Sequence, residues 1–247
     1  MASTWATAIP VVTVPQAAAP KRVTLVVPYY ENATFLERQA DIWATYPPTV
    51  AVVVVDDGSP TPARPPRARP GLAGGRVRLF RIEQDIPWNW LAARNIGAHH
   101  ADDGWLLLTD MDHVVPTETM CAVVQGQHDP NVVYGFCRRE HTGAEVAPHS
   151  ASFLMTREMF WRIGGYDEAL SGHYGTDGVY RKELRKHASM QILSDVLVRH
   201  EYVDDASTST YARKLPHDTA AVKRLVAERS RAWTPRVLSF PYHEVLT

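Results

Sequence analysis

The stretch Trp105-Leu-Leu-Leu-Thr-Asp-Met-Asp112 is an apolar strand that runs out into a polar turn carrying two carboxylates. On an extended segment alternate side chains share a face, so Asp110 and Asp112 point the same way and can reach one hard cation. Such a triplet by itself is also a common turn or helix-cap device. Its weight depends on the segments around it.

Two apolar runs lie upstream. Val23-Thr-Leu-Val-Val-Pro-Tyr-Tyr-Glu-Asn32 is a strand ending at a proline, and Val52-Val-Val-Val-Asp-Asp-Gly-Ser59 is a strand ending in two acids and a turn. Residues 23–27 and 51–55 are short, rich in β-branched side chains and almost purely apolar, the pattern of strands covered on both faces of a parallel sheet. Between them, apolar residues at helical spacing over 33–45, with Asn32 placed to cap the start, predict a helix and hence a βαβ unit. Five prolines and three arginines between Pro60 and Pro70 predict a surface loop. Residues 76–82 alternate as a strand, 91–101 read as a helix and 105–109 as the next buried strand, so another βαβ unit ends at the aspartate pair.

Ligands of open parallel sheets bind beyond the carboxyl ends of the strands. Pro28 to Glu31, Asp56 to Ser59 and Asp110 to Asp112 all fall at such ends. No Gly-x-Gly-x-x-Gly turn follows the first strand, which disfavours a dinucleotide-binding domain. Beyond residue 117 the pattern is mixed: a helix from Thr117, strands near 132–136 and 152–155, helices near 157–163 and 177–187, a strand over 191–199 and a closing helix over 216–231.

Composition narrows the function classes. The 247 residues suffice for one large α/β domain, and an apolar share of 45% with 21% charged excludes wholesale disorder. A net charge of -1 leaves no basic surplus to neutralise phosphates, so a nucleic-acid partner is not expected. The arginines between Arg64 and Arg81 read as a solvated loop and sheet edge. Cys121 and Cys137 allow at most one bridge, which suits a reducing, cytoplasmic compartment. No apolar run approaches the roughly 18 residues that span a bilayer. The first twenty residues lack the basic start and unbroken apolar stretch of a secretory signal, leaving a flexible tail or an edge strand around 9–14.

Taken in order, these strand ends followed by Gly164-Gly-Tyr-Asp-Glu168 and Tyr174-Gly-Thr-Asp-Gly178 resemble the inverting family 2 glycosyltransferases, over residues 22 to 202. The resemblance implies an α/β fold of GT-A type, a mostly parallel, Rossmann-like sheet flanked by helices. Residues 22–115 would form the nucleotide-sugar-binding half and 116–202 the acceptor-binding half of the same domain, between a flexible tail at 1–21 and a helical extension at 203–247. It implies transfer of a sugar from a UDP-sugar to a glycan or other hydroxyl acceptor. Asp57 would accept a hydrogen bond from the imide N–H of the base, Pro28 and Tyr29 would wall that base, and Glu31 joins the donor-binding set. Arg94 and Asn95, in Arg94-Asn-Ile-Gly97, would lie beneath the diphosphate, where an arginine fork matches phosphate oxygens and Gly97 permits close approach.

Asp112, with Asp110 sharing the cation or touching the ribose, would hold Mn2+ or Mg2+. An imidazole tilts the choice toward manganese. His200 matches the position of a third ligand, and His113 competes for it. An acid at Asp177 would be the general base, although two neighbouring acids are usual there and this chain has Thr176 and Gly178; Asp167 and Glu168 are the runners-up. Two rivals stand beside this reading: a sugar-1-phosphate nucleotidyltransferase, whose Gly-rich, basic signature is missing after the first strand, and a non-catalytic nucleotide-sugar-binding module.

Overall fold

A computed structural model of the chain describes residues 9–17, 19–199, 219–231 and 235–246. The apolar runs become the middle of a sheet. Strand β2 (Val23–Tyr29) is buried along all seven residues, between β3 (Val50–Asp56) and β5 (Trp105–Leu108), and β3 continues to β4 (Val77–Ile82). These pairings are all parallel.

Helices cover both faces, which is why no polar alternation interrupts these strands. Helix α1 (Ala33–Trp43) packs Phe35, Leu36, Ala40 and Trp43 against Leu25, Val27, Val52 and Val54. Asn32 caps it as predicted, its side chain accepting from the Phe35 amide at 3.1 Å. Helix α2 (Trp90–His100) places Ala92, Ala93 and Ile96 against Val53 and Val55 on the other face. Each fully buried Val or Leu here contributes about 1.5–3 kcal/mol. The contact of α2 with β2 is very close. A Cβ on Gly97 would meet Val26 Cγ1 at 2.2 Å, so the glycine that the sequence offered to a phosphate serves helix–strand packing instead.

The chain then passes β6 (His113–Val114), α3 (Thr117–Gln125), β7 (Val132–Arg139), β8 (Glu145–Val146), β9 (Phe153–Thr156), α4 (Arg157–Ile163), α5 (Asp177–His187) and β10 (Ser189–Arg199). β9 is antiparallel to both β5 and β7, while β10 runs parallel to β7. The carboxyl ends of β2, β3, β4, β5, β7 and β10 therefore share one edge, and β9 enters the sheet from that edge. Of the two expectations for the N-terminal residues, the edge strand is found: β1 (Val11–Val12) pairs with β10. Helix α6 (Thr219–Arg231) follows, and the last described residues return to the sheet as β11 (Tyr242–Glu244), antiparallel to β4. Among the described residues no helix is long and apolar enough to cross a membrane.

Candidate active site

The shared carboxyl edge gathers most of the predicted site residues. At the end of β3 the two neighbouring acids divide their work. Asp56 accepts from the Ser59 amide, the Ala63 amide and Arg81 Nη1 at 2.7–2.8 Å, which closes the turn. Gly58 makes that turn possible with φ +74°, where a Cβ would also strike the Gln84 carbonyl at 2.2 Å. Asp57 is buried beside it, and its amide donates to the Tyr29 carbonyl at 2.9 Å. Pro28 and Tyr29 are buried inside β2. Burial, then the charges of Asp56 and Glu31, push the Tyr29 hydroxyl up to about 12. Glu31 is exposed at the rim in a left-handed conformation, φ 42°, with its amide donating to Ser59 Oγ at 3.0 Å. Non-glycine residues held this way mark places where surrounding structure over-determines the backbone.

Asp110 and Asp112 follow β5. Arg94, 0% exposed, reaches Asp110. Its terminal nitrogens bond protein acceptors: Nη1 donates to the Ala151 carbonyl (2.5 Å) and to the Tyr166 hydroxyl (2.9 Å), and Nη2 donates to Asp110 Oδ1 (2.5 Å), while the buried Nε has no hydrogen-bond partner among the described residues. Burial alone would lower its pKa, yet Tyr166 and Asp110 hold it above its ordinary value. Arg94 thus touches the site through Asp110 rather than through its own face. Asn95 is equally buried and turned elsewhere, bonded to the backbone of Tyr166 and to Glu168 Oε1.

Two imidazoles stand beside the two aspartates, one for each. His113 Nδ1 lies 2.7 Å from Asp112 Oδ1, and its Nε2 lies 3.3 Å from Arg138 Nη1. Arginine only donates, so Nε2 accepts and the ring proton sits on Nδ1, where it donates to Asp112. Burial opposes ionisation of Asp112, but His113, then His149 and Arg199, hold its carboxyl below the usual range. His149 stacks on His113 with centroids 4.1 Å apart. Its Nδ1 bonds Ser152 Oγ at 2.7 Å, and its Nε2 lies 3.4 Å from Asp110 Oδ2. Burial, then His113, keeps this ring's pKa well below the ordinary histidine value.

Asp177 opens α5, where the preceding Thr176 makes no side-chain cap bond. Burial, then the charge of Asp110, raise its pKa, while Arg181 and Arg94 oppose the shift. The same field joins Asp177, Asp110, Arg94 and Tyr166 in one electrostatic cluster. Asp167 and Glu168 are used otherwise. Asp167 accepts from Arg229 Nε at 2.6 Å and from Nη2, and from the Arg236 amide at 3.0 Å. Glu168 accepts from Asn95, from the Leu238 and Ser239 amides and from Ser239 Oγ at 2.5–2.8 Å. Of the tryptophans at the start of α2, Trp90, its first residue, packs inward on Tyr166 with Arg94 over its ring, whereas Trp88, at φ 61°, meets Tyr174 edge-on with centroids 4.7 Å apart.

His200 lies outside the described residues. Among those described, no three His, Cys, Asp or Glu side chains form a group able to hold a metal by themselves. The residues present suit a cation whose shell a diphosphate completes: carboxylates at Asp110, 36% exposed, and Asp112, 17% exposed, with an imidazole at hand. A separate cavity of about 570 Å³ lies between the 65–75 loop, β4 and β11. Its Arg69 and Arg78 are already ion-paired with Glu37, Asp41 and Glu244. Sequence reading missed His149 and Tyr166. Tyr166 lies within the Gly164–Glu168 motif, so that motif could have flagged it; His149 precedes a short antiparallel strand and carries no local signal.

A model described as glycosyl transferase family 2 matches residues 24–187. Among solved structures, Staphylococcus aureus TarS 1-349 in complex with UDP-GlcNAc aligns with a TM-score of 0.62 and 16% identity over 84% of this chain and 66% of that one. The mannosyltransferase PcManGT from Pyrobaculum calidifontis, in complex with GDP-Man and Mn2+, aligns with 0.52 and 19% identity over 89% and 72%. GalNAc-T7 with UDP, GalNAc and Mn2+ gives 0.52 and 15% over 87% and 50%. At such identities the likeness is one of fold, and it is to the GT-A type. The chain spans 66% of the length of TarS 1-349. A search of the curated proteins gives no match.

Proposed function

The chain belongs to glycosyltransferase family 2, and we propose that it moves a sugar from a UDP-sugar to a hydroxyl acceptor with inversion. The observation that carries this reading is the contrast among the three acids after α4. Asp167 and Glu168 are bonded into the fold, while Asp177 shares the field of Asp110 and has its pKa raised by burial. A raised carboxylate is a better proton acceptor near neutral pH.

Asp177 takes the acceptor hydroxyl proton as that oxygen attacks the anomeric carbon from the face opposite the diphosphate. The bond from that carbon to the diphosphate oxygen breaks, and its electron pair leaves with UDP. Asp110 and Asp112 would hold Mn2+ or Mg2+, with His200 the further ligand that the family resemblance implies, and the bound cation would offset charge growing on the departing diphosphate. The presence of Mn2+ with PcManGT and GalNAc-T7 supports this assignment. Arg94 steers Asp110 by holding one of its oxygens, leaving Oδ2 turned toward the site. Asn95 acts one step further back, fixing Tyr166 and Glu168 beneath it. Asp57 receives the imide N–H, with Pro28, Tyr29 and Glu31 framing the base, which favours uridine although GDP-Man is bound in PcManGT. The acceptor is a glycan or another hydroxyl compound, and the free Cys121 and Cys137 suit a reducing cytoplasm.

The test is transfer itself. With Mn2+ and a panel of hydroxyl acceptors, α-linked UDP-sugars should release UDP and give a β-linked product, read by the anomeric proton coupling in NMR. Tight donor binding with no release across the panel would make the chain a binding module, and retention at the anomeric carbon would remove Asp177 as base.

A further inference from the structure

We infer that His149 is the nitrogen ligand of the divalent cation, its Nε2 and Asp110 Oδ2 meeting the metal side by side. This rests on the metal reading above and replaces His200 in it.

His149 sits in the segment entering β9, and the antiparallel course of β9 brings that segment to the edge where Asp110 follows β5. The two atoms lie 3.4 Å apart without the alignment of a hydrogen bond. Two donors at that separation can both reach one cation through bonds of about 2.1 Å, since 3.4 Å is well short of twice that length. Both partners are held from behind. Asp110 gives its other oxygen to Arg94 at 2.5 Å, and His149 gives Nδ1 to Ser152 Oγ at 2.7 Å, which in turn bonds Thr109 Oγ1 at 2.9 Å. Tying the remote nitrogen of an imidazole while its other nitrogen faces a carboxylate is the arrangement of metal-bound histidines, where the outer partner fixes tautomer and ring plane. Stacking on His113 fixes that plane further. His113 cannot take the role, because both its nitrogens are engaged, with Asp112 and with Arg138.

Pulsed EPR on the full chain with Mn2+ and UDP reads this directly through the hyperfine coupling of a histidine nitrogen to manganese. Wild type should show one such coupling, and His200→Gln should keep it. His149→Gln should lose it, with Mn2+ affinity in the presence of UDP falling about ten- to a hundredfold and Mg2+ affinity changing much less. Bound Mn2+ without nitrogen coupling in wild type, or a coupling that vanishes in His200→Gln and survives in His149→Gln, overturns the assignment and leaves the proposed transfer reaction standing. Absence of Mn2+ binding at any nucleotide concentration removes this assignment together with the metal reading on which it rests.

Discussion

Helix α2 holds two acid pairs by neighbouring residues, Asp110 through Arg94 and Glu168 through Asn95, and the fold treats the two pairs in opposite ways. Asp167 and Glu168 are each 1% exposed, and both oxygens of each accept from donors of the chain, most of them at 229–239. Their acceptor capacity is spent on pinning the C-terminal segment. Asp110 and Asp112 keep more surface, 36% and 17% of their side chains; Arg94 and His113 bond one oxygen of each, while His149 Nε2 lies 3.4 Å from the other Asp110 oxygen and Arg199 Nε 3.9 Å from the other Asp112 oxygen. Carboxylates filled by fixed donors act as fasteners. Carboxylates oriented at a strand end and still partly exposed are placed to meet a ligand from the cleft.

The largest effect that could break this division concerns Asp177, which the comparison sets on the ligand side. Asp177→Asn keeps size and first-turn position, so transfer should fall by about a hundred- to ten-thousandfold while donor affinity stays near native. Steady-state UDP release alongside calorimetric donor binding measures both quantities. Full activity in this variant would put the base elsewhere. Because Asp167 and Glu168 are already bonded away, no obvious substitute remains among the runners-up.

Glu168→Ala should show the reverse phenotype. Four donors lose their acceptor, one on buried Asn95 and three on the part-buried 238–239 segment, at a cost of about 3 kcal/mol. That corresponds to a fall of roughly 6 to 12 °C in Tm for a chain of this size. The remaining folded protein should still respond to UDP and Mn2+. An unchanged Tm would mean that the C-terminal segment does not depend on this anchor.

Asp112→Asn should spare the apo protein and remove its response to ligand. With UDP and Mn2+ at a hundredfold excess over Kd, linkage stabilises wild type by about 2.7 kcal/mol, a shift of roughly 5 to 10 °C. Either ligand alone should do much less. A full shift in the variant would move the cation away from this pair, and equal shifts with adenosine, guanosine and uridine diphosphates would remove Asp57 as the reader of the base.

The same contrast explains how much was legible in the sequence. Purely apolar, β-branched runs announce β2, β3 and β5, because burial on both faces leaves no room for polar alternation. Asn32 announces α1 through a bond only three residues long. The strand ends then locate Asp57, Asp110 and Asp112 by topology alone. What sequence could not give is the partner of each acid. The donors to Asp167 and Glu168 lie up to 73 residues away along the chain. Arg94 reads as suited to a phosphate because nothing local reveals that Asp110, Ala151 and Tyr166 take its terminal nitrogens. β6, β8 and β11 span two or three residues, too few for any period to show.

The smallest predicted effect separates fastener from tool by its sign. Burial and the charge of Asp110 raise the Asp177 carboxyl above its ordinary value of 3.8. A carboxyl whose folded pKa exceeds its unfolded one binds its proton more tightly in the folded protein, so ionising it costs stability. That cost is absent below the unfolded value, grows as pH rises through the window between the two, and is complete above the folded value. Asp177→Asn removes the ionisable group, so the variant should be more stable than wild type at pH 7 and lose that advantage in acid. Asp110→Asn removes the neighbouring like charge, so the gain from Asp177→Asn should shrink in that background, a coupling that urea midpoints of the four proteins at both pH values would give directly. An Asp177→Asn protein less stable than wild type at both pH values would mean that its carboxylate supports α5, and Asp177 would then belong with Asp167 and Glu168.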